Sequence, residues 1–232
     1  MKIYMRILVT AALLLQALMP GVKASTVGWG SFNSVGLADL SSTPATVGSL
    51  VRLGFFRDPI SLLTLSSGQI AILAAASTVS NKTAINAAFQ EFSSTTIGTG
   101  AGSQAGLWSQ STGNTGTQFA SQPIYYWTYN RSTLSAATQW GIFTAPGNPN
   151  WTFPADTTVT GGPVNSDLDN VPVNTTGIVV GQPTLGTATI NGSAGTPVYR
   201  MAAIAAVPEP STLAFGALAA LAAAGARRRH RK

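Results

Sequence analysis

The sequence predicts a mainly β domain, sandwich-like or irregular, with a short amphipathic helix. Three observations carry this. Branched and aromatic residues come in short runs, Leu50–Phe56, Pro123–Asn130 and Gln139–Phe143, bounded by Gly, Pro, Asn and Ser as strands are bounded by turns. Only one stretch has a clear helical period, with Ile85, Ala88, Phe89 and Phe92 at i, i+3, i+4 and i+7. Both ends of the chain read as targeting segments, which leaves residues 25–207 as the body, long enough to bury roughly two-thirds of its unfolded surface without a disulfide.

Taken in order, Thr26 to Gly54 reads as strands joined by Gly- and Ser-rich turns. The glycines around Val27, Trp29 and Phe32 mark a thin or bulged edge there. Leu50–Phe56 is a better strand, stopped by Asp58-Pro59, with Arg52 and Arg57 as solvated flanking charges. The helical period places a helix over about Asn81 to Phe92, capped by Ser80 or Asn81. Three turns do not persist alone, and Leu62 to Ala76 supplies apolar residues for it to pack on. Gly68 divides that segment, and it fits strand or helix equally.

Gly98–Ser103 and Ser111–Thr117 have loop compositions. Around them stand aromatic-rich strands: Leu107-Trp108, Pro123–Asn130, Gln139–Phe143 and Trp151–Pro154. Alternation in the longest puts Ile124, Tyr126 and Thr128 on one face and Tyr125, Trp127 and Tyr129 on the other, and either face suits a core. Branched runs at 177–180, 187–190 and 197–201 add edge or hairpin strands.

At the N-terminus, Lys2 and Arg6 precede an apolar stretch from Ile7 to Met19, and Val22-Lys23-Ala24 offers small residues at the cleavage-determining positions. Residues 1–24 are expected to be a signal peptide cut by signal peptidase between Ala24 and Ser25. At the other end, Val207-Pro208-Glu209-Pro210-Ser211-Thr212 precedes an apolar run from Leu213 to Ala226 and the basic end Arg227, Arg228, Arg229, His230, Arg231 and Lys232. That run falls short of the roughly 20 residues of a full span, but Arg227, Arg228, Arg229, Arg231 and Lys232 form a stop-transfer cluster directly after it. The prolines keep the junction out of a regular helix and accessible.

These residues resemble the PEP-CTERM sorting signal of Gram-negative bacteria, with Pro208, Glu209 and Pro210 at its defining positions and Arg227–Arg229 at its basic end. The resemblance spans residues 208–232. It implies recognition by exosortase, a membrane-embedded cysteine protease of transpeptidase type. The chain is then expected to be exported, held transiently in the inner membrane by a short transmembrane segment, and delivered to the cell surface or extracellular matrix. The body, with Val51–Phe56, Tyr125–Trp127, Trp140–Phe143 and Trp151–Pro154, resembles uncharacterised cargo found ahead of this signal, and no catalytic residue is carried over.

The formal charge of +6 belongs to the ends, because residues 25–207 hold five basic and six acidic side chains. A nucleic-acid partner is not expected of such a body. Its polarity comes from Thr, Ser, Asn and Gly, a surface prone to associate with polysaccharide, lipid or itself, and exopolysaccharide joins the expected partners. Cysteine is absent and the one histidine, His230, lies in the tail, which removes thiolate and Ser-His-Asp chemistry from the body. No catalytic residues and no cofactor are predicted.

Two clusters remain. Trp108, Tyr125, Trp127, Trp140 and Trp151 suit either cross-strand pairs in a β core or a platform stacking on sugar rings. Asn165, Asp167 and Asp169 alternate in a way that could contact calcium, but the glycine and distal glutamate of a calcium loop are missing, so Asp167 and Asp169 read as a solvated turn and no metal is expected. The expected function is a structural or interaction protein of the surface or matrix. A secreted carbohydrate-binding module is the alternative, and a carbohydrate-active enzyme, which would need two facing carboxylates, comes third.

Overall fold

The computed structural model describes residues 26–31, 35–101, 104–113, 116–155 and 164–206. The expected β-rich class is found, as one large and two small sheets with two short helices against the large one. The large sheet runs β12 (Ala202–Ala203), β7 (Gln139–Phe143), β6 (Tyr125–Tyr129), β3 (Leu50–Phe56) and β4 (Phe89–Thr96), and β9 (Ile178–Val180) shares the outer side of β7 with β12. Its central pairs are antiparallel, with Leu53 opposite Tyr126 and Tyr126 opposite Phe143.

The first small sheet has the order β5 (Trp108–Gly113), β1 (Thr26–Ser31), β8 (Val164–Asp167), with β1 and β8 parallel. Thr26–Ser31 is therefore a central strand and not the thin edge its glycines suggest. Val27 and Trp29 are fully buried, and a Cβ on Gly30 would lie 2.6 Å from the Trp108 carbonyl, so glycine here permits close strand approach. The second small sheet is β10 (Gly186–Ile190), β11 (Ser193–Arg200) and β2 (Gly36–Ala38). Asn191 and Gly192, both at positive φ (52° and 76°), close its hairpin, as an Asn-Gly pair between two strands favours.

The segment left open between strand and helix contains α1 (Ser67–Ala76). The Ser66 side chain accepts from Gln69 N–H while the Gln69 side chain accepts from Ser66 N–H, a reciprocal cap that fixes where the helix starts. The helix expected over 81–92 is shorter: α2 (Thr83–Ala88) stops at Ala88, and Phe89 is already extended. Pairing of β4 with β3, Phe89 opposite Phe56, overrides the helical period, and Ser93 to Thr96 continue as strand. Lys82, without a side-chain cap bond, precedes α2, and Asn81 Oδ1 accepts from Thr83 N–H at 3.3 Å.

Three further expectations change. β5 runs on through Ser111–Gly113, which composition assigned to a loop, because it pairs with β1. Trp151 ends a 3-10 turn (Pro149–Trp151) capped by Asn148, where a strand was expected. Asn165 and Asp167 lie in β8, and a 3-10 turn (Leu168–Asn170) follows. A four-residue helix, α3 (Gly116–Phe119), leads from β5 toward β6.

Both faces of β6 are core. Tyr126 packs on Trp29, Trp108 and Trp151 with ring centroids 4.7 to 5.8 Å apart, joining the large sheet to the first small one. Trp127, on the opposite face, meets Phe56, Phe89 and Trp140 at 5.2 to 5.8 Å. These tilted and edge-on contacts are the geometry in which aromatic pairs add to burial.

Candidate functional site

The five aromatic residues singled out as sugar contacts are all enclosed. Trp108 and Trp127 are 0% exposed, Trp140 and Trp151 2%, and Tyr125 4%. A ring stacks on a sugar only if one face reaches solvent, so the arrangement is the cross-strand core and not a platform.

Arg52 is not a solvated flank. It leaves β3 across the same face as Trp127, ion-pairs through Nε with Glu91 of β4, and donates to Asn86 Oδ1 of α2 at 2.8 Å and to the Tyr129 hydroxyl at 3.2 Å. Its guanidinium carbon sits 4.6 Å from the Phe89 ring centre and 5.0 Å from that of Trp127. Burial raises the Tyr129 hydroxyl pKa despite the nearby cation. Glu91, within the span expected to be helical, is thus a strand residue held in an ion pair, and the cluster clasps β3, β4, β6 and α2 together. Lys82 makes a second clasp: 7% exposed, its Nζ donates to the carbonyls of Leu134, Ser135 and Ala137 at 2.7, 3.2 and 2.7 Å. Burial lowers its pKa below the usual 10.5. Sequence offered no local signal for either clasp.

Asp167 and Asp169 are brought together, but as a turn. Asp167 Oδ1 accepts from Asp169 N–H at 3.1 Å, capping the 3-10 turn that follows β8. Partial burial, and then the neighbouring Asp167, push the Asp169 carboxyl up to about 6. Among the described residues no three His, Cys, Asp or Glu side chains converge as a metal site would need.

The end of the fold bears most directly on function. After β12, Ile204 N–H donates to Thr138 O at 2.9 Å, and Ala205 accepts from Val79 N–H at 2.9 Å while bridging Thr78 in parallel. The chain is therefore pinned beside the C-terminal end of α1 up to Ala205, one residue before the last described position. Ala24, Ser25, Pro208, Glu209, Pro210 and Arg227, Arg228, Arg229, Arg231 and Lys232 lie outside the described residues. Among the described residues no helix is long and apolar enough to cross a membrane, and the run Leu213–Ala226, expected to be a short transmembrane segment, is not among them.

Residues 206–229 match a family profile described as the PEP-CTERM protein-sorting motif. The chain carries a PEP-CTERM sorting signal. No curated protein and no solved structure matches the chain. The PEP-CTERM match begins at residue 206, where the described fold ends. The motif marks an exported protein targeted to exosortase and processed at the membrane.

Proposed function

We propose that residues 25–207 are a non-enzymatic cargo domain that exosortase releases to the cell surface or extracellular matrix, where it serves as a structural or interaction protein. Signal peptidase removes residues 1–24, residues 208–232 hold the chain transiently in the inner membrane, and matrix exopolysaccharide is the partner its charge-poor, hydroxyl-rich surface suits. The observation that carries this reading is the junction. The fold is tied down through Ala205, and only two residues of sequence separate Ala205 from Pro208, so the folded domain reaches almost to the recognition tripeptide along the chain. A protease needs an extended backbone not already paired in a sheet, and the flanking prolines favour that conformation.

Mass spectrometry of the protein recovered from its native host, with and without the exosortase gene, tests the reading. The expected surface form starts at Ser25 and ends near Pro208–Pro210, and without exosortase the form ending at Lys232 stays with the membrane. Surface protein that keeps Lys232 in the wild-type host would overturn it. Binding of the mature protein to purified matrix polysaccharide, set against a measured glycan-cleaving activity, separates interaction protein from enzyme.

A further inference from the structure

We propose that the loop Asp58–Leu63, with the groove between α1 and α2 beside it, is a membrane-contact surface that seats the unprocessed chain on the lipid bilayer. Among the described residues, eight large apolar side chains are exposed, and the four most exposed all lie here: Ile60 at 91%, Leu63 and Ile72 at 70%, and Leu62 at 60%. The other four, scattered elsewhere, are 36 to 49% exposed, the ordinary condition of single surface apolar residues.

The loop is built to present these side chains. Asp58 Oδ1 accepts from the amides of Ile60 and Ser61 at 2.8 and 2.7 Å, Leu62 N–H donates to Asp58 O at 2.9 Å, and Asp58 N–H donates to Leu63 O at 2.8 Å. Four of the loop's backbone amides, those of Asp58, Ile60, Ser61 and Leu62, are thus paired within it, which lowers the cost of contact with an apolar phase. Leu62 holds a positive φ of 60°, unfavourable for a bulky residue, while its side chain points out of the core. Beside the loop, Pro59, Leu65, Ile72, Leu73 and Ala87, with the polar Asp58 and Gln69, line a mostly apolar groove of about 400 Å³ that runs from the loop to the middle of α1.

What covers it follows from where the tail leaves. The loop ends at the N-terminal end of α1, and Ala205 is bridged to Thr78 just past its C-terminal end. A helix of ten residues is about 15 Å long, and Ile72 lies midway. Residues 207–212 separate the fold from the apolar run at Leu213, and six extended residues reach at most about 20 Å. If the tail is held in the bilayer, on which this inference rests, the tether keeps this face within reach of lipid at high effective concentration. The body contributes a net charge near zero, so contact is apolar rather than electrostatic and does not need anionic lipid.

The chain has no cysteine, so single-cysteine probes can be introduced cleanly. Unprocessed chain carrying an environment-sensitive nitrobenzoxadiazole label on Ile60→Cys, Leu63→Cys, Leu218→Cys or Thr189→Cys is reconstituted in phosphatidylcholine vesicles. The labels at 60, 63 and 218 are expected to shift to the blue and to be quenched by doxyl-labelled lipid, while the label at 189, exposed on another sheet, stays water-like. Replacing Leu62 and Leu63 with Ser should lower the immersed fraction of the label at 60 about tenfold or more. Labels at 60 and 63 that remain water-like while that at 218 is quenched overturn the inference and leave the tail reading standing. A water-like label at 218 as well overturns both. A blue shift at 60 that appears without vesicles and grows with protein concentration assigns the face to a second copy of the chain and likewise overturns it.

Discussion

Replacing Tyr126 with Phe should be the most informative single change in the core. The ring and its contacts with Trp29, Trp108 and Trp151 stay, but the hydroxyl, fully buried, now accepts from Gly30 N–H at 3.1 Å and donates to Ser166 O at 2.5 Å. Those two groups belong to β1 and β8 of the small sheet, so one side chain of the large sheet satisfies both. Phe leaves the Gly30 donor without that acceptor and removes a donor from the Ser166 carbonyl, and both residues are buried. An unsatisfied buried group costs about 1–3 kcal/mol, so the expected loss is roughly 2–4 kcal/mol. For a domain of this size that is a fall of about 5–15 °C in melting temperature. Tyr125→Phe is the internal control, because its hydroxyl makes a long, part-buried contact of 3.4 Å with Ser67 Oγ rather than bridging two strands, and it should cost less than about 1 kcal/mol. Urea denaturation followed by tryptophan fluorescence measures both. A Tyr126→Phe loss below about 0.5 kcal/mol, or equal to that of Tyr125→Phe, would refute the view that this hydroxyl joins the two sheets.

Three further outcomes are expected. Glu209→Gln keeps size and hydrogen-bonding ability but removes the charge that a protease must pair, so tail removal should slow in pulse-chase labelling; maturation at the normal rate would show that the carboxylate is not read. Because the Asp169 carboxyl is raised to about 6 in the fold, above its unfolded 3.8, its contribution to stability is complete below about pH 4 and is lost as pH rises through 6. Its exposure holds the effect to under about 1 kcal/mol, and a urea midpoint in Asp169→Asn that keeps the full pH slope would reject this. Leu62→Gly relieves the positive φ without taking a side chain from the core and should raise stability by about 0.5–1 kcal/mol; an unchanged or lower denaturation midpoint would mean that the loop is not strained.

The parts of the fold legible in the sequence are those where local pattern and final packing agree. Leu50–Phe56, Tyr125–Tyr129 and Gln139–Phe143 alternate as strands, and all three are strands of the large sheet. The helix over 81–92 failed because a period of 3.6 and the start of a strand share the same residues. Ile85 and Ala88 fit α2, and Phe89 then fits a strand as soon as Phe56 stands opposite, a partner 33 positions away that no local window contains. The glycines of Thr26–Ser31 misled in the same way, since whether a missing Cβ means a weak edge or a close approach depends on Trp108 beyond it. The two faces of β6 were resolved as alternating, but that both are buried follows only from the arrival of the small sheet on one side and of Phe56, Phe89 and Trp140 on the other.

The candidate sites divide along the same line. A sorting signal is read by an enzyme as extended chain, so its information is local and Pro208-Glu209-Pro210 with the basic end was legible at once. Arg52, Lys82 and the aromatic cluster act through partners distant in sequence, so composition alone left Arg52 in solvent and the tryptophans open between core and platform. The loop at Ile60–Leu63 falls between these cases. Its apolar residues were visible in the sequence, but apolar residues ordinarily go inward, and only the Asp58 turn shows that they are held outward. The same fold that buries every tryptophan leaves this loop and Ile72 uncovered, along a helix whose far end lies beside Ala205, and the proposed membrane contact of this apolar face rests on that juxtaposition.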